Sequence, residues 1–217
     1  MRPLDLLLKG ANELGIDLTE EKLRLFSVYL KDLKKWNRAY NLTAIRDDKD
    51  IVIKHFIDSL SYLKAIPVRK GLKVIDIGTG AGFPGIPIKI CHPEIILTLV
   101  DSSMKKTLFL KHICRALGLE NVEIIQKRAE GLMEVFGSSF DVLVTRALYK
   151  IKDLLTFGIP VLKSGGFLVV SKGPVAEKEL KETNKIMSEI EVRVKDVINI
   201  TLPQSNIKRN LIVLERY

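Results

Sequence analysis

The chain is expected to fold as a doubly wound α/β domain, a mainly parallel sheet of about seven strands with an N-terminal helical extension. Three observations predict it. From Gly71 onward, short β-rich runs alternate with helical stretches. Those runs are apolar almost throughout, as in strands covered by helices on both faces. Everything before Gly71 carries the helical period instead.

In the extension, Leu4, Leu7, Leu8 and Leu14 lie at helical spacing before Gly15. Thr19 followed by Glu20 and Glu21 reads as an N-cap with acidic residues at the positive end of the helix dipole. The long helix that follows has an apolar stripe of Leu23, Phe26, Leu30, Leu33 and Trp36, and Lys31, Lys34, Lys35 and Arg38 make its other side basic. A third helix starts near Asp48, carries Ile51, Ile53, Phe56, Leu60 and Leu63, and stops before Pro67. The strands are KVIDI, IILTLV, VEII, FDVLVT, GFLVVS, VRVKDVINI and NLIVLE, and helices are expected from Pro84, Ser103, Gly131, Ile151 and Val175. The last two strands are joined by LPQSNIKRN, too short for a crossover helix, so they pair antiparallel at one edge. The expected organisation is an extension over 1–70 packed on a core unit over 71–217.

A hydrophobic fraction of 47% with 6% aromatic residues suits a core of aliphatic strands and excludes a disordered or collagenous chain. No apolar run reaches the roughly 20 residues that span a bilayer, and MRPLDLLLKG turns polar too early for a secretory signal, so no membrane role and a cytoplasmic location are expected. Cys91 and Cys114 stand in unrelated contexts and read as small buried hydrophobes, with neither a metal site nor a disulfide implied. The net charge of +9 attracts polyanions, nucleic acid first among them.

The segment VIDIGTGAGFPG places Gly78, Gly80 and Gly82 where the first strand turns into a helix, a geometry that lets a ligand approach the backbone. No Lys closes the loop, which excludes a P-loop triphosphatase. Asp76, two residues before Gly78, would repel the pyrophosphate of NAD and favour the ammonium and sulfonium of S-adenosylmethionine (SAM). Asp101 ends the second strand, where a carboxylate accepts hydrogen bonds from ribose hydroxyls. Ala129 and Glu130 follow the third strand, at the adenine-facing position of this architecture, with a plain helix cap the competing role for Glu130. Arg146 and Lys172 end the fourth and fifth strands, where cations suit phosphate or substrate contact. Replacing Arg146 is therefore expected to harm activity more than folding.

The chemistry is narrowed by what is missing. The fourth-strand segment TRALYK lacks the Pro-Pro-aromatic pattern of adenine and cytosine amino-group methylation, and neither cysteine is placed as a nucleophile for cytosine C5. Guanine N7 needs no general base, because its lone pair attacks directly. No catalytic residue is assigned; Arg146, Lys172 and His55 are the candidates.

WNRAYNLTAI (36–45), HFIDSL (55–60), DIGTGAGFPGIP, LVDSSMKKTLFL and VTRAL together resemble the small-subunit ribosomal RNA methyltransferase G family, also called glucose-inhibited division protein B, over essentially the whole chain. The resemblance implies a Rossmann-like class I SAM-dependent methyltransferase fold. It also implies N7 methylation of a guanosine in 16S rRNA of the small ribosomal subunit, with SAM as donor. No metal is expected, and a monomer is expected because no long apolar surface helix is left over. SAM contacts would fall on Gly78 and Phe83, with Ala129, Glu130 and Arg146 taking the family's Ala-Glu pair and arginine. In the extension, Asn37, Arg38, Asn41, Arg46 and His55 would flank the cofactor and help hold RNA, and Lys172 keeps its place in Ser171-Lys172-Gly173. Trp36, Tyr40 and Leu42 have packing as their competing role. The competing functions are a NAD-linked oxidoreductase, disfavoured by Asp76, a non-catalytic RNA-binding assembly protein on a SAM fold, and a small-molecule methyltransferase, which leaves the charge of +9 unused.

Overall fold

Two amphipathic helices, α1 (Pro3–Glu13) and α2 (Glu20–Tyr40), open the chain. The Thr19 hydroxyl caps α2 by accepting from the Lys22 N–H at 3.3 Å, and Asn41 ends it in the left-handed region at φ 48°. Asp47 caps the next helical stretch, 48–64, by accepting from the N–H groups of Lys49 and Asp50. This stretch contains α3 (Asp48–Ile51), a wider π-helical turn (Val52–Ile57) and α4 (Asp58–Ser61). The computed structural model describes all residues except 147, 148, 174 and 175, so the Ala147 and Leu148 positions of TRALYK and the helix start expected at Val175 lie outside the described residues.

The sheet is formed by β1 (Lys73–Ile77), β2 (Ile96–Asp101), β3 (Val122–Gln126), β4 (Phe140–Arg146), β5 (Leu162–Lys172), β6 (Val192–Thr201) and β7 (Lys208–Arg216). The helices between them are α5 (Gly85–Cys91), α6 (Met104–Ala116), α7 (Leu132–Phe136), α8 (Ile151–Phe157) and α9 (Ala176–Glu189). Strand order is β3-β2-β1-β4-β5-β7-β6. The pairs from β3 to β5 are parallel; β7 runs antiparallel to both β5 and β6. The chain winds outward from β1 to β3 and then returns to β4 on the other side of β1. That reversal opens a crevice at the carboxyl ends of β1 and β4, where ligands bind in open α/β sheets. β5 departs furthest from its expected span: it starts at Leu162, ahead of GFLVVS, because Leu162 pairs with Phe140 before a register shift that the left-handed Gly165 (φ 76°) helps the strand to make.

Each face of the sheet has its own core, which is why the strands read as unbroken apolar runs. Val74, Val142, Val144 and Val169 point to one face, where α2, the 48–64 stretch, α5 and α6 pack through Phe26, Tyr29, Leu33, Phe56 and Phe109. Ile75, Leu143, Leu168 and Ile212 point to the other, under α8 through Leu154 and Leu155. Full burial of one such large side chain stabilises by about 1.5–3 kcal/mol. The N-terminal helices thus share a core with the sheet. Cys91 and Cys114 are free and buried, and burial pushes both thiols up to about 12. No helix among the described residues is long and apolar enough to cross a membrane.

Candidate active site at the carboxyl edge of the sheet

The glycine loop leaves β1 with Gly78, Gly80 and Gly82 at φ 72°, 62° and 103°. Two of them do different work. A Cβ on Gly82 would lie 2.5 Å from both the Tyr29 hydroxyl and Ile86, so this residue permits close packing. Gly80 faces open space, and its N–H donates to Asp101 Oδ2 at 3.0 Å, which ties the loop to the end of β2.

Asp76 is placed otherwise than expected. Its carboxyl lies beneath the loop, wholly buried, and Oδ2 accepts from Thr79 Oγ1 and from the Gly85 N–H at 2.7 Å each. Oδ1 has no partner among the described residues. Burial pushes this carboxyl up to about 7, with the Thr79 and Gly85 hydrogen bonds offsetting part of the shift. Strand alternation is the reason: Asp76 follows Val74 onto the face packed by α2, α5 and α6. The carboxyl shapes the loop from within and does not line the ligand cavity. Asp76→Ala strands two buried donors and is expected to lower stability by about 3 kcal/mol and SAM affinity by about tenfold, read by urea unfolding and calorimetry. If both stay at parental values, the loop holds its shape without the carboxyl.

A cavity of about 340 Å³ opens beside the loop, lined by Gly78, Asp101, Ala129, Glu130 and Tyr149, with Lys106, Lys127 and Arg128 at its polar side. Asp101 Oδ1 accepts from the Ser103 N–H at 2.9 Å, and Oδ2 also meets Lys106 Nζ at 3.4 Å. Oδ1 keeps a lone pair for a ribose hydroxyl, and Oδ2 offers a second where a hydroxyl takes the place of the long Lys106 contact. The cavity size, the open face of Gly80 and the acceptor at the end of β2 fit the nucleoside part of SAM. Glu130 is exposed at the rim and Ala129 is buried. Lys106 and Lys127 were missed in the sequence, although SSMKK directly after Asp101 and QKR before Ala129 carried the signal.

A second cavity of about 290 Å³ lies farther along the same edge, lined by Lys54, His55, Asp58, Arg146, Ser171, Lys172 and Arg209. Arg146, expected among the cofactor contacts, lines this cleft and is absent from the first. Its Nη1 donates to the Lys54 carbonyl at 2.7 Å and approaches Asp58 Oδ2 at 3.5 Å. Its Nη2 donates to His55 Nδ1 at 2.8 Å, and the guanidinium lies over the Phe83 ring, 5.4 Å from its centroid. Phe83 itself is 3% exposed and stacks on His55 and Tyr29, so its ring belongs to the core and only its backbone is left for a cofactor. Lys172 also reaches the cleft, but its Nζ is taken by the Tyr149 carbonyl at 2.5 Å and the Glu179 carboxylate at 3.0 Å. By holding Tyr149 it links the two cavities.

His55 is fixed in one form. Arginine only donates, so Nδ1 must accept, and the ring proton sits on Nε2, which meets Thr43 Oγ1 at 2.9 Å. Burial, reinforced by the Arg146 charge, pushes the imidazole down to about 3. The ring is neutral and held on both sides, which corrects its candidacy as a catalytic group. A histidine depressed in the folded state stabilises fully above its unfolded value near 6.5 and loses that stability as pH falls toward 3. Between pH 6 and pH 4 the protein is therefore expected to lose up to about 1.4 kcal/mol per pH unit through this group. His55→Gln should flatten that part of the profile in urea titrations; an unchanged slope would assign it elsewhere.

The remaining RNA candidates separate. Asn37 is largely buried and its Oδ1 accepts from the Thr43 N–H at 2.9 Å, so it holds the turn after α2 while also lining the floor of the cavity beside Arg38 and Arg46. Arg38 and Arg46 are exposed around a cavity of about 180 Å³ shared with Lys34, and Asn41 accepts from Arg46 at 3.3 Å. Trp36 is half-buried, with ring centroids 5.2 Å from Tyr40 and 5.1 Å from His112, which pairs with Asp32 at 2.7 Å.

Residues 22–211 match the model of one protein family, described as rRNA small subunit methyltransferase G. The chain belongs to that family. It is 41% identical to the ribosomal RNA small subunit methyltransferase G of Caldanaerobacter subterraneus over 99% of this chain and 90% of that protein. It is 40% identical to the protein of the same name from Acetivibrio thermocellus, over 98% and 88% respectively. Among solved structures, a SAM dependent methyltransferase from Aquifex aeolicus superposes with a TM-score of 0.58 at 20% identity, covering 78% of this chain and 94% of that one. A ribosomal protein L11 methylase from Lactobacillus delbrueckii gives 0.55 at 16% identity, covering 80% and 81%. At such identities the likeness is one of fold, the Rossmann-like class I methyltransferase fold that the resemblance implies.

Proposed function

We propose that the chain is a SAM-dependent methyltransferase that modifies N7 of a guanosine in 16S rRNA of the small ribosomal subunit, acting as a cytoplasmic monomer. The observation that carries this reading is the nucleoside-sized cavity between the glycine loop and Asp101 in a chain matched to this family over 22–211. Gly78, Gly80, Asp101 and Ala129 would hold SAM, which, when bound, supplies an electrophilic methyl that the N7 lone pair takes without prior loss of a proton. The protein's task is then alignment and tolerance of positive charge on the base. The second cleft, beside the first, would receive the acceptor nucleotide. His55, neutral and locked between Thr43 and Arg146, holds Arg146 in place and moves no proton. The 1–70 extension would close one side of the site through Arg38 and Arg46.

The test is transfer of a labelled methyl group from SAM to small-subunit rRNA and to assembled subunits, followed by mapping. Labelling of one guanosine at N7 is the expected result. Binding of SAM without transfer to either substrate would overturn it.

A further inference from the structure

Two residues of the second cleft, Asp58 and Arg209, line no part of the SAM cavity, and sequence reading gave neither of them a role. Asp58, in HFIDSL, is 1% exposed. Its Oδ1 accepts from Arg209 Nε at 3.1 Å and its Oδ2 faces Arg146 Nη1 at 3.5 Å. Two guanidinium groups therefore share one buried carboxylate, which leaves one positive charge unmatched.

The other cations of the cleft are committed: Lys172 to Glu179 at 3.0 Å and Lys54 to Asp50 at 2.9 Å. Arg146 spends its terminal nitrogens on Lys54, Asp58 and His55. Arg209 differs. Beyond Nε it makes one long contact, Nη1 to the Lys208 carbonyl at 3.4 Å, and Nη2 has no partner among the described residues. Its side chain is also the more open of the two, 27% exposed against 19% for Arg146. In the same cleft the Ser171 hydroxyl is buried and has no hydrogen-bond partner among the described residues. A buried hydroxyl left unpaired costs about 1–3 kcal/mol and is normally satisfied, so this one marks a place where an outside polar group belongs.

We infer that this cleft binds a backbone phosphate of the RNA substrate, with Arg209 as the phosphate contact, Ser171 as a hydroxyl donor beside it and Asp58 as the positioning residue that aims Arg209. The inference rests on the proposed function for the identity of the polyanion. A phosphodiester carries the single negative charge that matches the unpaired positive one, and a free guanidinium edge suits its oxygens. The sheet sets the location: Arg146 pairs with Ser171, and Lys172 pairs with Asn210, next to Arg209. All of them lie on the edge that carries the glycine loop, so a phosphate here places its nucleotide beside the SAM cavity. Asp58 neither touches RNA nor SAM; it fixes the side of the guanidinium that turns inward.

The experiment is binding of transcribed small-subunit rRNA to the full chain across a salt series, with SAM affinity measured by calorimetry on the same samples. Arg209→Ala is expected to weaken rRNA binding about tenfold and to reduce the slope of log affinity against log salt by about one, the mark of a single lost phosphate contact. Arg209→Lys should keep the slope and lose part of the affinity. Asp58→Asn should weaken rRNA binding with the slope retained, because the charge stays and its aim is lost, and Asp58→Glu should recover part of the loss. SAM affinity should hold in all four, which a folding defect would not allow. An Arg209→Ala protein with parental slope and affinity overturns the phosphate site while leaving the proposed function standing. Wild-type protein that binds no rRNA overturns both.

Discussion

Asp101→Ala is expected to raise the dissociation constant for SAM by about 100-fold. Hydrogen bonds from two ribose hydroxyls to a carboxylate contribute roughly 1.5–3 kcal/mol each, and the loss of about 3 kcal/mol corresponds to two decades of affinity. The structure adds a second reason. Asp101 also accepts from the N–H groups of Gly80 and Ser103, so the truncation frees the loop that frames the same cavity. Asp101→Asn keeps one acceptor oxygen and should fall between the two proteins. Calorimetric titration with SAM checks both variants; a change of less than about threefold in Asp101→Ala would place the ribose elsewhere.

Arg146→Ala is expected to damage the fold as well as the reaction. The side chain is only 19% exposed and joins four points: the Lys54 carbonyl, His55, Asp58 and the face of Phe83. Removing one partner of a buried ion pair costs about 3–5 kcal/mol, and the low end applies here because Asp58 keeps Arg209. A loss of about 3 kcal/mol in urea unfolding, with methyl transfer strongly reduced at saturating SAM, is the expected pair of results. Arg146→Lys retains charge without the planar fork and should recover stability more than activity. Loss of activity with parental stability would restore the simpler reading from sequence, in which this residue only meets ligand.

Much of the fold was open to inspection in the residues. The change from helical period to apolar runs at Gly71 separates extension from sheet, and LPQSNIKRN between the last two strands is too short for anything but an antiparallel return. The glycine loop and the carboxylate at the end of the next strand were legible for the same reason: both are set by local backbone geometry at a strand end. Direction was harder. Asp76 stands two residues from the loop, yet the two-residue period of β1 sends its carboxyl under the loop, to Thr79 and Gly85. Phe83 likewise lies in a motif that suggested ligand contact, and its ring is spent on an aromatic stack with Tyr29 and His55.

What the sequence determined by itself was everything that rests on short-range periodicity and spacing: the doubly wound sheet, its edge hairpin, the loop and Asp101. What only the tertiary structure decided was which polar groups meet. Asp58 reaches Arg209 across 151 residues and Arg146 across 88. Tyr29 caps the Ala81 carbonyl from a helix 52 residues away. Such meetings depend on how α2 and the 48–64 stretch settle on the sheet. That docking is driven by burial of Phe26, Tyr29 and Phe56, which is non-directional and leaves no local pattern naming the partners of a charged side chain.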